Sequence, residues 1–143
     1  MTVAAILANK GHRVVVESSE CTLSKICQVL EAEKIGAIVI CDTEDVIAGI
    51  VSERDVVKAI SKFGPDILSK PVSEFMTAGV VTCEEGDTIN TVMEKMTEGR
   101  FRHIPVLQNS KLRGIISIGD AVKFRIAQVE QEAEDMRKYI HTG

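Results

Sequence analysis

The heptapeptide Gly49-Ile50-Val51-Ser52-Glu53-Arg54-Asp55 has a counterpart later in this chain of 143 residues, Gly114-Ile115-Ile116-Ser117-Ile118-Gly119-Asp120. Each copy consists of a glycine, two β-branched residues, a serine, two variable residues and an aspartate. A β-branched pair favours a short buried strand, and Ser-x-x-Asp is typical of a helix N-terminus. The two copies therefore predict two equivalent turns at which a strand runs directly into a helix.

The repeat extends beyond these turns. Adding 66 to the positions of one group of residues in the first half gives residues of the same character in the second half: Thr22, Leu23, Ile26, Cys27 and Leu30 become Thr88, Ile89, Val92, Met93 and Met96. Their spacing places the apolar members on one face of a helix in each half. The chain is therefore predicted to contain one structural unit twice.

Periodicity and turn residues predict the same order of elements in both halves. The first half is predicted to have helices at about residues 2–9, 22–34 and 52–61, with strands at 14–16, 37–41 and 46–51. The second half is predicted to have helices at 71–76, from 88 and from 117 to about 139, with strands at 80–82, 103–107 and 112–116. The breaker sequence Phe63-Gly64-Pro65-Asp66 separates the two.

A unit of three short strands and two helices cannot cover both faces of its sheet alone, so we expect the two units to pack on each other about a pseudo-twofold axis. The predicted fold class is α/β (α+β), with halves at 1–65 and 66–126 and a helical extension at 127–143. Apolar residues recur along the last helix at spacings of four and three: Val122, Ile126, Val129, Ala133, Met136 and Ile140. Two interpretations of this seam are open: a contact between two copies of the chain, or a helix folded back over its own domain.

The composition is that of a globular protein, with 45% hydrophobic and 27% charged residues. A net charge of −4, no Trp and few other aromatic residues argue against a nucleic-acid-binding surface. No apolar run reaches the roughly 20 residues of a membrane helix, and the N-terminus does not resemble a signal peptide, so we expect a cytoplasmic protein. The cysteines lack C-x-x-C spacing, which favours reduced thiols over a disulfide or zinc site: Cys21, Cys27, Cys41 and Cys83.

The Ser-x-x-Asp pattern has two interpretations. It is close to a capping box, in which the serine and the acid each accept a hydrogen bond from the other's backbone N–H group. Its recurrence after two equivalent strands also favours a ligand site, because a serine hydroxyl and the N–H groups of a helix N-terminus suit a phosphate. The aspartate suits the adjacent hydroxyls of a ribose, through charge-assisted hydrogen bonds. Ribose and phosphate together indicate a nucleotide.

The two units resemble a tandem pair of cystathionine-β-synthase (CBS) domains, a Bateman module. The resemblance rests on the repeated turn, on Pro71-Val72-Ser73-Glu74-Phe75-Met76-Thr77 before the second copy, and on Phe101-Arg102-His103-Ile104-Pro105-Val106. The long C-terminal helix is similar to that of small stand-alone bacterial members. The resemblance implies two domains packed through their sheets, two clefts for adenosine ligands such as AMP, ADP, ATP, NAD(H) or S-adenosylmethionine, and a disk-like dimer.

The resemblance also assigns residues to each cleft. In the first cleft Asp55 would accept the ribose hydroxyls, and further contacts would come from Ile50, Ser52, Arg54, Val80, Arg102 and His103. In the second cleft Asp120 would accept them, and further contacts would come from Val14, Gly36, Ala37, Ile115 and Ser117. The arginines of the first cleft suit phosphate, whereas the matching positions of the second are uncharged. A longer loop offers the second cleft three candidate cations: Lys10, His12 and Arg13.

The sequence has no P-loop, dinucleotide-binding glycine motif, paired metal-ligand spacing or nucleophile elbow. We therefore predict no catalytic residues, catalytic cofactor or metal site. The predicted function is that of a regulatory module that senses energy or redox state through AMP, ADP, ATP or NAD(H). Its signal would pass to an effector protein or through a homodimer. Three alternatives stay open: an S-adenosylmethionine sensor, a structural dimerisation scaffold, and a small enzyme acting on a nucleotide.

Overall fold

A computed structural model describes residues 1–142, which contain five α-helices and five β-strands. In chain order these are α1 (Val3–Lys10), β1 (Val16–Glu17), α2 (Leu23–Glu33), β2 (Ala37–Thr43), β3 (Val46–Ser52), α3 (Glu53–Phe63), α4 (Ile89–Gly99), β4 (His103–Gln108), β5 (Lys111–Ser117) and α5 (Ile118–Thr142). Two 3-10 helices, Pro65–Ser69 and Val72–Glu74, connect the halves.

Each half builds its own small sheet. β2 pairs with β3 in antiparallel and with β1 in parallel orientation, and β4 pairs with β5 in antiparallel orientation. The registers correspond, because Ala37 faces Ser52 in the first sheet and His103 faces Ser117 in the second. The sequence repeat is therefore also a repeat in space, and the predicted mixed α/β fold is confirmed.

The helices that follow the first strands begin at equivalent threonines. Thr22 accepts a hydrogen bond from the Lys25 N–H at the start of α2, and Thr88 accepts one from the Thr91 N–H at the start of α4. These caps satisfy N–H groups that have no partner within the helix. Behind them the predicted apolar faces are buried: Leu23, Ile26 and Leu30 in α2, and Ile89, Val92 and Met96 in α4.

The first strand of each unit differs from the prediction. In place of the strand predicted at 14–16, the structure has the two-residue strand β1, Val16–Glu17, which shares one residue with the prediction. Residues 80–82 form no strand: the Val80 N–H donates to the Ala78 carbonyl at 2.9 Å, and a parallel bridge to β4 occurs just beyond them, at Cys83 opposite Val106. The β-branched residues at 80–82 favour extended backbone, but a strand also needs a neighbouring strand to pair with, and the sequence does not show where that pairing begins.

The segment 71–76 is a 3-10 helix at Val72–Glu74, not the predicted α-helix. It cannot continue because Thr77 joins β3: the Thr77 N–H donates to the Ile50 carbonyl at 2.9 Å, and the Ile50 N–H donates back at 3.0 Å. Tertiary pairing thus overrides the local helical preference.

The hydrophobic core of each half includes residues from the segment that precedes the other half in the chain. The core of the second half includes three residues of α1: Val3, Ile6 and Leu7. The core of the first half includes Val72 from the connection. Matching backbone bonds hold both segments, since the Leu23 N–H donates to the Lys70 carbonyl at 3.0 Å and the Ile89 N–H donates to the Met1 carbonyl at 3.2 Å. The two halves therefore exchange equivalent segments.

The glycine that opens each repeated heptapeptide permits this exchange. A Cβ on Gly49 would lie 2.5 Å from Met76 Sδ, and one on Gly114 would lie 2.6 Å from Leu7 Cδ2. A side chain at Gly49 would also lie 2.9 Å from the Thr77 carbonyl, and one at Gly114 would have to displace the Leu7 side chain, so glycine lets the exchanged segment lie close to the strand.

α5 packs on the second half through its first turns and then leaves the core. Ala121 is buried, whereas every described side chain from 129 to 141 is exposed. The exposed fraction is 52% for Val129, 59% for Met136 and 66% for Ile140. The helix does not fold back over its own domain, so that interpretation is wrong. Among the described residues, nothing covers the part of its apolar seam from Val129 to Ile140.

Candidate nucleotide clefts

The first repeated turn is a reciprocal capping box at the N-terminus of α3. The Asp55 N–H donates to Ser52 Oγ at 3.3 Å, and the Ser52 N–H donates to Asp55 Oδ2 at 2.9 Å. The Ser52 hydroxyl also donates to Asp55 Oδ2, at 3.1 Å. Within residues 1–142 no hydrogen bond ends on Asp55 Oδ1. Capping therefore leaves one carboxylate oxygen able to accept a bond from a ligand.

The second turn repeats this box at the start of α5. The Asp120 N–H donates to Ser117 Oγ at 3.0 Å, and the Ser117 N–H donates to Asp120 Oδ2 at 2.9 Å. Here a lysine side chain also contacts the turn. Lys10 Nζ donates to Asp120 Oδ2 at 2.6 Å and to the Ile115 carbonyl at 2.7 Å. The capping interpretation is confirmed for both turns, and the second turn also holds an ammonium group.

The ammonium group changes the acidity of Asp120. Burial by itself would raise the pKa of this carboxyl, but the hydrogen bonds from Lys10 and Ser117 and the Lys10 charge outweigh burial, so the pKa lies below its usual value. Asp120 is therefore a carboxylate that already has its counter-ion.

A cavity of about 260 Å³ lies beside the first turn, between β3 and the start of β4. It brings together all of the residues predicted for the first cleft: Ile50, Ser52, Arg54, Asp55, Val80, Arg102 and His103. The volume is just under the roughly 300–1,000 Å³ that is usual for ligand pockets. Val80 forms part of the cavity wall, and it lies in the turn that is found in place of the strand predicted at 80–82.

Four basic side chains line this cavity: Arg54, Lys58, Arg100 and Arg102. Within residues 1–142 none of them forms an ion pair with a carboxylate, although ion pairs occur elsewhere in the chain. Lys58 and Arg100 are absent from the predicted site. The 66-residue offset pairs Arg100 with Lys34, and both cap the preceding helix in the left-handed conformation, with φ 56° after α4 and φ 53° after α2.

A second cavity, of about 390 Å³, lies beside the second turn. It brings together the predicted residues except Asp120, namely Val14, Gly36, Ala37, Ile115 and Ser117. Asp120 does not line it, and its carboxylate is bound to Lys10. Of the candidate cations, Lys10 and Arg13 line this cavity, whereas His12 turns away and places Nδ1 2.9 Å from the Arg113 carbonyl.

His103 lines both cavities and separates the two clefts. Burial lowers the pKa of the ring, and the charge of Lys10 lowers it further. The carboxylates of Glu53 and Asp120 oppose this shift, and Arg102 adds to it. Because all four charges act on one ring, an ion that enters either cleft changes the electrostatic environment of His103.

The described residues show neither a metal centre nor a disulfide. Residues 1–142 contain no group of three or more His, Cys, Asp or Glu side chains that could hold a metal ion. The four cysteines are free thiols. No helix among the described residues has the length and apolar character needed to cross a membrane.

The family model for the CBS domain matches this chain twice, over residues 3–62 and 72–127. A CBS-domain containing protein of known structure from Agrobacterium tumefaciens is 45% identical, with a TM-score of 0.85 over 87% of this chain and 99% of that one. An uncharacterized 17.7 kDa protein of Acidianus ambivalens is 31% identical over 112 residues. The CBS domain pair of protein MJ0100, solved with 5′-methylthioadenosine and S-adenosyl-L-methionine, is 22% identical, with a TM-score of 0.79 over 90% of this chain and 98% of that one.

The alignments to curated relatives differ in extent. The match covers 78% of this chain and 66% of the Acidianus protein, but only 21% of an Arabidopsis thaliana CBS domain-containing protein. The two matches to the family model fall on the two halves of the repeat, each with its own heptapeptide, sheet and capping box. The chain therefore belongs to the CBS-domain family and carries two copies of the domain.

Proposed function

We propose that this chain is a non-enzymatic regulatory module that binds an adenine nucleotide in its first cleft. One observation carries the proposal: four basic side chains without carboxylate partners among residues 1–142 line the same cavity as the Asp55 turn. Like charges that gather in this way repel one another, so their arrangement favours a bound anion.

The chemistry of the first cleft fits the parts of a nucleotide. Guanidinium groups such as that of Arg102 present a planar fork of donors that suits phosphate oxygens. Asp55 supplies a carboxylate oxygen that suits a pair of ribose hydroxyls. Ile50 and Val80 supply apolar surface against which a purine can lie. Cationic, acidic and apolar groups thus line one small cavity.

The charge of the cleft favours a phosphorylated ligand. Protein MJ0100 was solved with 5′-methylthioadenosine and S-adenosyl-L-methionine, so a member of this fold accepts adenosine compounds. Neither of those two compounds carries a phosphate, and the second carries a positive sulfonium. The basic residues of this chain favour AMP, ADP, ATP or NAD(H) over both.

A regulatory role fits the state of Ser52, which is the cleft hydroxyl closest in sequence to the repeated aspartate. Its hydroxyl donates to Asp55 at 3.1 Å and accepts from the Asp55 N–H at 3.3 Å, as a helix cap does. Both bonds belong to the helix cap, so this hydroxyl is engaged in the fold. Ligand binding would then alter the packing of the module or of an effector protein.

Isothermal titration calorimetry with AMP, ADP, ATP, NAD⁺, NADH and S-adenosylmethionine tests the proposal. At least one phosphorylated adenine compound should bind, and Arg102→Gln should weaken it roughly 10- to 100-fold, because one charge-assisted bond is lost. Arg125→Gln, on exposed α5, is the matched control and should bind as the wild type does. If no phosphorylated adenine compound binds, or if both variants bind equally, the proposal is wrong.

The structural scaffold is the second candidate, favoured by the uncovered seam of α5. It predicts a dimer whose stability is the same with and without nucleotide. The regulatory module predicts that nucleotide shifts the thermal midpoint, by a free energy of about 2.7 kcal/mol at 100 times the dissociation constant. A melting curve of the wild type with each nucleotide distinguishes the two.

A further inference from the structure

We infer that α5 joins two copies of this chain in a parallel, in-register coiled coil. The apolar seam of the helix consists of six residues at alternating spacings of four and three: Val122, Ile126, Val129, Ala133, Met136 and Ile140. All six are exposed. This spacing is the heptad pattern along which two helices pack. The seam lies outside both clefts, so the inference goes beyond the proposed function and does not depend on it.

The seam does not face the half on which α5 packs. That half contacts α5 through Ala121, which is buried, and Phe124, which is half-buried. Successive residues of an α-helix are turned by about 100°, so these two side chains lie about a third of a turn around the helix from the seam. The exposed fraction on the seam is 53% for Ile126 and 66% for Ile140. A second helix can therefore meet the seam while α5 stays packed on its own half.

The residues that flank the seam carry the charges of a parallel pair. In a parallel coiled coil, a flanking residue on one side of the seam lies beside the residue five positions further on in the partner helix. Arg125 of one copy would thus face the position of Glu130 in the other, and Glu132 would face the position of Arg137. Both are pairs of opposite charge. The twofold symmetry of a homodimer forms each pair twice.

An antiparallel arrangement brings like charges together instead. If the two seams overlapped along their full length in opposite directions, Glu130 would face its own counterpart, and so would Glu132. Lys123 would face the position of Arg137. Like charges that face each other across an interface repel, and the flanking charges of a coiled coil set the orientation of its helices. The charge pattern therefore favours the parallel orientation.

The contacts that these charged groups make within one chain are exposed. Arg137 Nη2 lies 3.3 Å from Glu134 Oε2, and the two side chains are 67% and 50% exposed. Arg125 Nη1 donates to Gln128 Oε1 at 3.2 Å, and Gln128 Nε2 donates to Glu132 Oε1 at 3.3 Å. Exposed contacts along a single helix are weak. They do not prevent these side chains from turning towards a partner helix.

Oxidative cross-linking tests the orientation. In the parallel pair Met136 lies beside its counterpart, so Met136→Cys should form a disulfide-linked dimer under mild oxidation. In the antiparallel pair Met136 lies opposite Ile126, so the two cysteines would be about 15 Å apart along the axis, beyond the roughly 7 Å between Cα atoms that a disulfide can bridge. Asp135→Cys, next to the seam position, is the matched control. This control and the wild type, with its four free cysteines, should run as monomers on a non-reducing gel.

Charge reversal tests the pairing, with the dissociation constant of the dimer measured by analytical ultracentrifugation and melting curves to confirm folding. Glu130→Arg and Arg125→Glu each replace an attraction with a repulsion, twice per dimer, and each should weaken the dimer roughly 10-fold. The two changes combined should restore most of the affinity, because the pair is re-formed with its charges exchanged. Asp135→Arg, which makes the same change of charge away from the seam, should leave the affinity unchanged.

Three results would overturn the parallel pair. The first is a wild type that stays monomeric. The second is a Met136→Cys variant that does not cross-link, or that cross-links no faster than Asp135→Cys. The third is a double charge reversal that binds no more tightly than the single ones. None of these results bears on nucleotide binding in the first cleft, which calorimetry tests separately.

Discussion

The ring of His103 lies against the backbone of Gly36, at the junction of the two clefts. A Cβ on Gly36 would be 2.9 Å from His103 Nε2 and 3.0 Å from Cε1. Gly36 is the residue that precedes β2, and His103 is the first residue of β4, so this contact joins the equivalent edges of the two halves. The two halves differ at this point, because the residue that matches His103 at the 66-residue offset is Ala37, which has no ring to place there.

Gly36→Ala tests this contact. The new methyl group should displace the His103 ring and lower the free energy of unfolding by about 1–3 kcal/mol, as overpacking generally does. The measurement is urea unfolding of the wild type, Gly36→Ala, His103→Ala and the double variant. Removal of the ring should make Gly36→Ala nearly harmless, so the two changes should be non-additive. Additive effects would show that the ring does not limit this position.

The lowered pKa of His103 predicts how stability depends on pH. Burial and the Lys10 charge lower the pKa of the folded ring, so it takes up a proton at a lower pH than the unfolded ring, whose pKa is about 6.5. The unfolded state then binds more protons, so the free energy of unfolding falls as the pH drops through that value. His103→Gln should lose less stability than the wild type between about pH 7.5 and about pH 5.5. An equal loss in both proteins would contradict this prediction.

The seam of α5 predicts self-association. Val129 and Met136 lie on its apolar side and are mostly exposed, which is typical of a helix that meets a second helix. Val129→Glu combined with Met136→Glu should convert a dimer into a monomer in analytical ultracentrifugation. Gln131→Glu, on the opposite side of the same helix, should leave the dimer intact. A monomeric wild type, or a dimer that survives the double change, would exclude this interface.

Cys83 should be the least reactive thiol. It is 2% exposed, and burial together with the charge of Asp87 raises its pKa to about 12. A thiolate is the reactive form, so this cysteine should resist an aromatic disulfide reagent until the protein unfolds. Peptide mapping after timed labelling measures the order of reaction. Rapid labelling of Cys83 in the folded protein would contradict the burial that the structure assigns to it.

The repeat, most of the helices and the pairing of Ser52 with Asp55 could be predicted because they depend on local patterns. Ser52 and Asp55 are three residues apart, and a capping box brings them together in any helix that begins there. The remaining first-cleft residues followed from the resemblance of both copies to CBS domains. The basic residue Arg100 was missed, because its match at the same offset, Lys34, was not predicted as a site residue either.

Contacts between distant segments could not be predicted in this way. Lys10 and Asp120 are 110 residues apart, and their ion pair exists because α1 closes the second half. Periodicity shows that α1 has an apolar face but does not show which core receives it. The parallel bridge between Cys83 and Val106 is similar, since it joins residues that are distant in sequence and marks where the first strand of the second half pairs.

The most direct test of nucleotide binding in the first cleft is a calorimetric titration of Asp55→Asn beside Asp120→Asn, with AMP, ADP, ATP, NAD⁺ and NADH. An asparagine can still accept the Ser52 N–H bond and so keep the helix cap, but it presents an amide in place of the second carboxylate oxygen. We predict that Asp55→Asn weakens the tightest of these ligands roughly 10-fold or more, while Asp120→Asn does not weaken it. Equal binding by Asp55→Asn and the wild type would contradict a nucleotide in the first cleft.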